Sequence, residues 1–146
     1  MIKDNLSELI LESMKHGKKV RIDALRAIKA AILNYETAKN AKPLDEIAEI
    51  NIVRKLVEQR EDSAKIYKEA NRLDLAEEEL KQAEVLREFL PKPISESEIQ
   101  DVFNELVKSG ISPEKKNLGN LIKGIKERLP LANGKLVSQT VMKNLV

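Results

Sequence analysis

The sequence predicts an all-α protein on three observations. Apolar residues recur at steps of three and four through nearly every segment, no stretch alternates convincingly as a strand, and the breaks between segments carry helix start and stop signals. Ile2, Leu6, Leu9, Ile10 and Met14 form the stripe of a first amphipathic helix that stops at His16-Gly17. Leu25, Ile28, Ile32 and Tyr35 mark a second, and Asn40-Ala41-Lys42-Pro43-Leu44 interrupts it. Ile47, Ile50, Val53, Val57, Ala64 and Tyr67 then mark a long third helix whose length suggests a helical hairpin. The fourth runs from Leu75-Ala76 to Leu90 with Ala76, Leu80, Ala83, Leu86 and Leu90 on one face. It ends at Pro91-Lys92-Pro93, because proline disfavours helix at and before its own position.

Beyond the prolines, Ser95 with Glu98 three residues on reads as a capping box opening a fifth helix that ends at Gly110. Ser112-Pro113 repeats the start signal as a capping hydroxyl with proline at the first helical position. Leu118, Leu121, Ile122, Ile125 and Leu129 fill that sixth helix, stopped by Pro130. Asn133-Gly134 opens a seventh with Leu136, Val137, Val141 and Leu145 inward. The expected organisation is an N-terminal helical domain of about four helices, arranged as hairpins, over residues 1–90. A proline hinge at 91–93 and a small three-helix C-terminal tail domain over 94–146 complete it. About fifty residues make a marginal helical core, so the tail is expected to lean on the first unit or on a partner.

Composition narrows the chemistry. Of 146 residues, 34% are charged and 42% hydrophobic, with no Cys, no Trp and one histidine, His16. Disulfides, zinc ribbons and thiol nucleophiles are excluded, and one histidine supplies neither a His-rich metal site nor an acid–base pair. No uncharged run approaches the roughly 20 residues of a membrane span, and the first residues carry acids rather than a secretory core. The expectation is a cytoplasmic protein with no membrane partner.

Gly119-Asn120-Leu121-Ile122-Lys123-Gly124 has the glycine spacing of a phosphate loop, but Ile125 follows where Lys and Ser/Thr are needed and no strand precedes it. Small residues that let a helix pack closely explain it better. Glu58, Glu61, Asp62, Glu69, Asp74 and Glu77 interleave with Arg54, Lys55, Arg60, Lys65 and Arg72, the pattern of a solvated, ion-paired face. His16, at the end of the first helix, suits a capping role. The sequence therefore predicts no catalytic residue, no cofactor and no resident metal.

Charge is distributed unevenly. Residues 1–42 hold nine basic and five acidic side chains, residues 43–93 nine and thirteen, and residues 94–146 eight and six. From Leu106 onward Lys108, Lys115, Lys116, Lys123, Lys126, Arg128, Lys135 and Lys143 face only Glu114 and Glu127. This tail is either a solubilising surface or a face that binds phosphates with salt-dependent affinity. With two Phe, two Tyr and no Trp, base stacking is not the main mode available, and folded RNA suits the tail better than single strands.

Several ordered segments resemble the YqeY-like family: Leu25-Arg26, Ala30-Ala31-Ile32, Asn34-Tyr35-Glu36, Gln59-Arg60, Asp62-Ser63-Ala64 with Tyr67, Ala70-Asn71-Arg72-Leu73-Asp74-Leu75-Ala76 and Glu88-Phe89-Leu90-Pro91. Leu118-Gly119-Asn120-Leu121 is similar to its Met-Gly-x-Val segment. Ala132-Asn133-Gly134-Lys135-Leu136-Val137-Ser138 resembles its terminal Ala-Asp-Gly-Lys-Leu-Val-Ser signature, with Asn133 in place of aspartate, another capping residue. Such proteins look like the helical and tail portions of the B subunit of the tRNA-dependent Asp/Glu amidotransferase, without its catalytic cradle. The resemblance implies a two-part helical fold, a tail that contacts tRNA, and a carbon–nitrogen ligase family label without activity of this chain alone.

The tail resemblance and the basic excess fall on the same residues. The expected RNA contacts are Lys115, Lys116, Lys123, Lys126 and Lys135, with the Asn133-Gly134 amides at a helix N-terminus as a further anion site. The alternative is a protein–protein adaptor using the alanine-rich face of Ala24, Ala27, Ala30 and Ala31.

Overall fold

The computed structural model describes residues 1–146 and contains α-helices, one 3-10 turn and no strand. The chain divides into two compact units, Met1–Pro91 and Lys92–Val146. The first holds α1 (Ile2–Lys15), α2 (Lys19–Thr37), α3 (Glu46–Glu69) and α4 (Leu73–Arg87). The second holds α5 (Glu96–Lys108), the 3-10 turn Lys115–Asn117, α6 (Leu118–Arg128) and α7 (Gly134–Asn144).

In the first unit α3 and α4 form the most extensive helix pair, and α2 packs on α1, α3 and α4. The core runs through Leu6 and Ile10 of α1, Ala24, Leu25, Ile28 and Ile32 of α2, Val53, Leu56 and Val57 of α3, and Ala83 and Leu86 of α4. Small residues where α2 meets its neighbours let the helix axes approach; Ala24 and Ala83 are fully buried.

Three helices stop in the same way, each by one residue in the left-handed region: Gly17 (φ 63°), Asn71 (φ 58°) and Gly110 (φ 115°). At each, the next amide bonds back into the last turn: Lys18 N to Ser13 O, Arg72 N to Tyr67 O, and Ile111 N to Leu106 O. This is the Schellman arrangement, which satisfies carbonyls that a helix end leaves orphaned. Asn71 converts the long apolar pattern after Asp45 into a hairpin of α3 and α4.

The structure departs from the sequence expectation at four places. The α1 stripe excludes Met14, which is half exposed, and takes Ser13 instead. Ser13 is tolerated inside because its hydroxyl donates to Leu9 O at 2.8 Å. On α3, Ile47 faces outward and Glu49 is buried. The fourth helix begins at Leu73, two residues early, and gives way after Arg87 to a turn through Leu90, closed by Leu90 N to Arg87 O at 3.0 Å. Ser112-Pro113 starts no helix. Ser112 O and Oγ instead accept from Asn117 Nδ2, at 2.9 and 2.8 Å, fixing the 3-10 turn from which α6 departs.

In the second unit α5, α6 and α7 pack pairwise around Ile99, Phe103, Leu106, Leu121, Ile125, Ala132, Val137 and Val141. The Ser95–Glu98 capping box forms as expected: Ser95 Oγ accepts from Glu98 N at 3.2 Å, and Glu98 Oε2 from Ser95 N at 3.0 Å.

Candidate nucleic-acid interface

The tail's basic residues separate into paired and unpaired sets. Lys116 lies 3.1 Å from Glu114, Arg128 lies 2.8 Å from Glu105, and Lys143 lies 3.4 Å from Glu96. Lys108, Lys115, Lys123, Lys126 and Lys135 are exposed and make no ion pair. Exposed pairs are weak, at roughly 0–1 kcal/mol, so Lys116 remains able to exchange Glu114 for another anion. Lys123 and Lys126, three residues apart on α6, share its solvent face.

The α6–α7 junction concentrates the charge. Ile125 and Leu121 pin the inner face of α6, which directs Lys126 towards the start of α7. There a Cβ built on Gly134 would lie 3.6 Å from Lys126 Nζ. The ammonium thus sits beside the first residue of α7, where the helix carries partial positive charge, and Lys135 follows at the next position. Like charges gather here without an acidic partner. The Asn133 side chain is occupied in capping, its Oδ1 accepting from Leu136 N at 3.1 Å. The structure brings Lys126, Gly134 and Lys135 together; Lys115 and Lys116 lie on the separate 3-10 turn before α6. Of the acids in the tail, exposed Glu127 stands next to Lys126 in the chain.

Of the six carboxylates that interleave with bases on the charged faces of the first unit, three stand in ion pairs: Glu61 with Arg87, Asp74 with Arg72 at 3.3 Å and Glu77 with Lys81 at 3.3 Å. No three His, Asp or Glu side chains lie close enough together to hold a metal ion. The acid that does structural work was not singled out by its sequence pattern. Glu49 is 1% exposed and accepts from the amides of Ile2 at 2.7 Å and Lys3 at 2.9 Å, so a residue of α3 caps α1. Its neighbours three and four residues away are Asp45, Glu46, Ile52 and Val53, a mixed face, and only a tertiary contact reveals the role.

The alanine-rich face is revised in part. Ala24 is fully buried in the core and is unavailable to a partner. Ala27, Ala30 and Ala31 do line an open groove of about 550 Å³ between α2 and α3, with Tyr35, Lys55 and Gln59 among its other walls.

A family model, that of the YqeY-like proteins, matches residues 3–145. The chain belongs to the YqeY-like family. Among curated relatives, it is 31% identical over 105 residues to the "Altered inheritance of mitochondria protein 41, mitochondrial" of Lachancea thermotolerans, covering 70% of this chain and 56% of that protein. It is 33% identical over 88 residues to an uncharacterised protein of Schizosaccharomyces pombe, covering 59% of this chain and 69% of that one. The match thus spans little more than half the length of the first relative. No helix is long and apolar enough to cross a membrane.

Proposed function

We propose that this YqeY-like protein is a non-catalytic accessory that binds folded RNA, tRNA foremost, through phosphate contacts made by residues 94–146. One observation carries the reading: at the α6–α7 junction Lys126 Nζ sits against Gly134 at the start of α7, with Lys135 beside it and no ion pair to either lysine. A phosphate there meets the Lys126 ammonium and helix-terminal amides at once, with Lys135 next in the chain. Lys123, one turn earlier, extends the face along α6, and Lys115 and Lys116 stand on the 3-10 turn that precedes it. The tail's resemblance to that of the amidotransferase B subunit makes tRNA the first RNA to try.

The test is tRNA binding by the intact protein across a salt series. Phosphate contacts make log affinity fall linearly with log salt, and each lost contact lowers the slope by about one. Lys123→Glu/Lys126→Glu/Lys135→Glu is expected to lower the slope by about three and weaken binding more than tenfold at low salt. A tRNA affinity indifferent to salt, or unchanged in this variant, overturns the reading.

The groove between α2 and α3 favours a second reading, that of a protein adaptor. Ala30 is exposed and lines it. If the groove is the contact, Ala30→Arg abolishes capture of a co-purifying protein with the fold intact; unchanged capture counts against it.

A further inference from the structure

The densest basic cluster in the chain is not in the tail. Lys15, His16, Lys18, Lys19 and Arg21 fall within seven residues at the corner where α1 turns into α2. The Gly17 turn forces this crowding. With Gly17 at φ 63° and Lys18 N bonded to Ser13 O at 3.0 Å, α2 restarts two residues after Gly17. The basic side chains therefore cannot spread along an extended linker.

Lys15, Lys18 and Lys19 are exposed and make no ion pair, while Arg21 is held by Glu88 at 2.6 Å. A pocket of about 180 Å³ opens here between Leu9, Glu12, Ser13, His16, Lys18 and Arg21. Glu12 is its one acidic wall. The first turn of α2 contains no acid, and no side chain caps it. Three unpaired lysines and the start of α2 thus outweigh Glu12 at this corner, and the net positive potential attracts an external anion.

We infer that the α1–α2 corner is a second phosphate-binding surface for RNA, carried by the N-terminal unit and independent of the tail. The inference rests on the reading of the protein as an RNA binder. The pocket has room for a phosphate group beside Lys18 and Arg21, and neither tyrosine of the chain lines it to stack on a base. Lys15 and Lys19 lie outside its walls, so the charge extends over more than one phosphate. A polynucleotide backbone fits that distribution better than a free phosphate ion.

The test uses the intact protein and fluorescently labelled tRNA, with anisotropy read across a salt series. Lys15→Gln/Lys18→Gln/Lys19→Gln is expected to lower the salt slope by about two to three and weaken binding about tenfold or more at 100 mM salt. Lys18→Glu/Lys19→Glu serves as the folding control. It places acids at the start of α2, where they favour the helix, so weaker binding at an undiminished melting temperature is a binding effect. If both corner variants bind with the parent's affinity and slope, the corner inference falls while the tail reading stands. If the corner variants weaken binding and the tail triple variant does not, the tail reading falls and the corner stands. A parent protein that fails to bind tRNA at low salt overturns both.

Discussion

Glu49 shows what a single side chain contributes that no local pattern announces. Its carboxylate accepts two amides at the start of α1, and the residue is 1% exposed. Hydrogen bonds to a charged group are each worth about 1.5–3 kcal/mol. Glu49→Gln keeps one acceptor and turns an amide NH₂ towards a backbone donor, so we expect a loss of about 2 kcal/mol in urea unfolding, with amide exchange in α1 accelerated first. Full retention of stability would mean that solvent replaces the cap. Thr140 has the opposite sign. It is 1% exposed and its hydroxyl has no hydrogen-bond partner. Thr140→Val keeps the shape and removes the orphaned group, so stability should rise by up to about 1 kcal/mol; a drop would reveal a partner for the hydroxyl. At the α3–α4 corner, hydrogen bonding to Arg72 holds the Asp74 carboxyl below its ordinary value. A lowered carboxyl stabilises the fold above its unfolded pKa and loses that contribution as pH falls through the folded one. The melting-temperature difference between the parent and Asp74→Asn should therefore be present at neutral pH and vanish at strongly acidic pH.

Among the elements, the two glycines of α6 separate a packing requirement from a tolerated cost. A Cβ on Gly124 would come within 2.9 Å of Leu106 Cδ1, a buried side chain of α5, whereas one on Gly119 meets nothing within 4 Å. Alanine in place of helical glycine gains up to about 1 kcal/mol from propensity alone. Gly119→Ala is expected to gain about 0.5 kcal/mol, and Gly124→Ala to lose at least as much as Leu106 is displaced. Equal melting temperatures for the two variants would show that Leu106 yields freely. The close-packing explanation read from the sequence thus applies to Gly124 and not to Gly119. Helix starts and stops were legible where one residue type does the work locally: Gly17, Gly110, the Ser95–Glu98 box and Asn133 all act as their chemistry suggests. Asn71 was not, because asparagine enters the left-handed region only when context favours it. Ser112-Pro113 misled because Asn117 claims both oxygens of Ser112. In the candidate interface the lysines were legible as a local excess of charge. Which of them are neutralised depends on Glu96 and Glu105 of α5, a helix away from Lys143 and Arg128, and linear charge counting does not register such partners.

At the scale of the whole molecule the two hydrophobic cores share no residue, which gives unfolding a testable order. The second unit, Lys92–Val146, has a size at which a lone helical core is marginal. The chain supplies its own reporters: it lacks Trp, and both tyrosines, Tyr35 and Tyr67, lie in the first unit. Tyrosine fluorescence therefore follows residues 1–91 alone, while far-UV circular dichroism follows the helices of both units. In a urea titration the dichroism is expected to begin falling at lower urea than the fluorescence, and non-coincident probes are the sign of two independent transitions. Superimposable curves would mean that the units unfold as one. The same experiment with saturating tRNA tests where RNA is held, since a ligand raises the stability of the unit that binds it. Binding by the tail alone moves the first, dichroism-only transition to higher urea and leaves the tyrosine curve in place. Binding by the α1–α2 corner as well moves both.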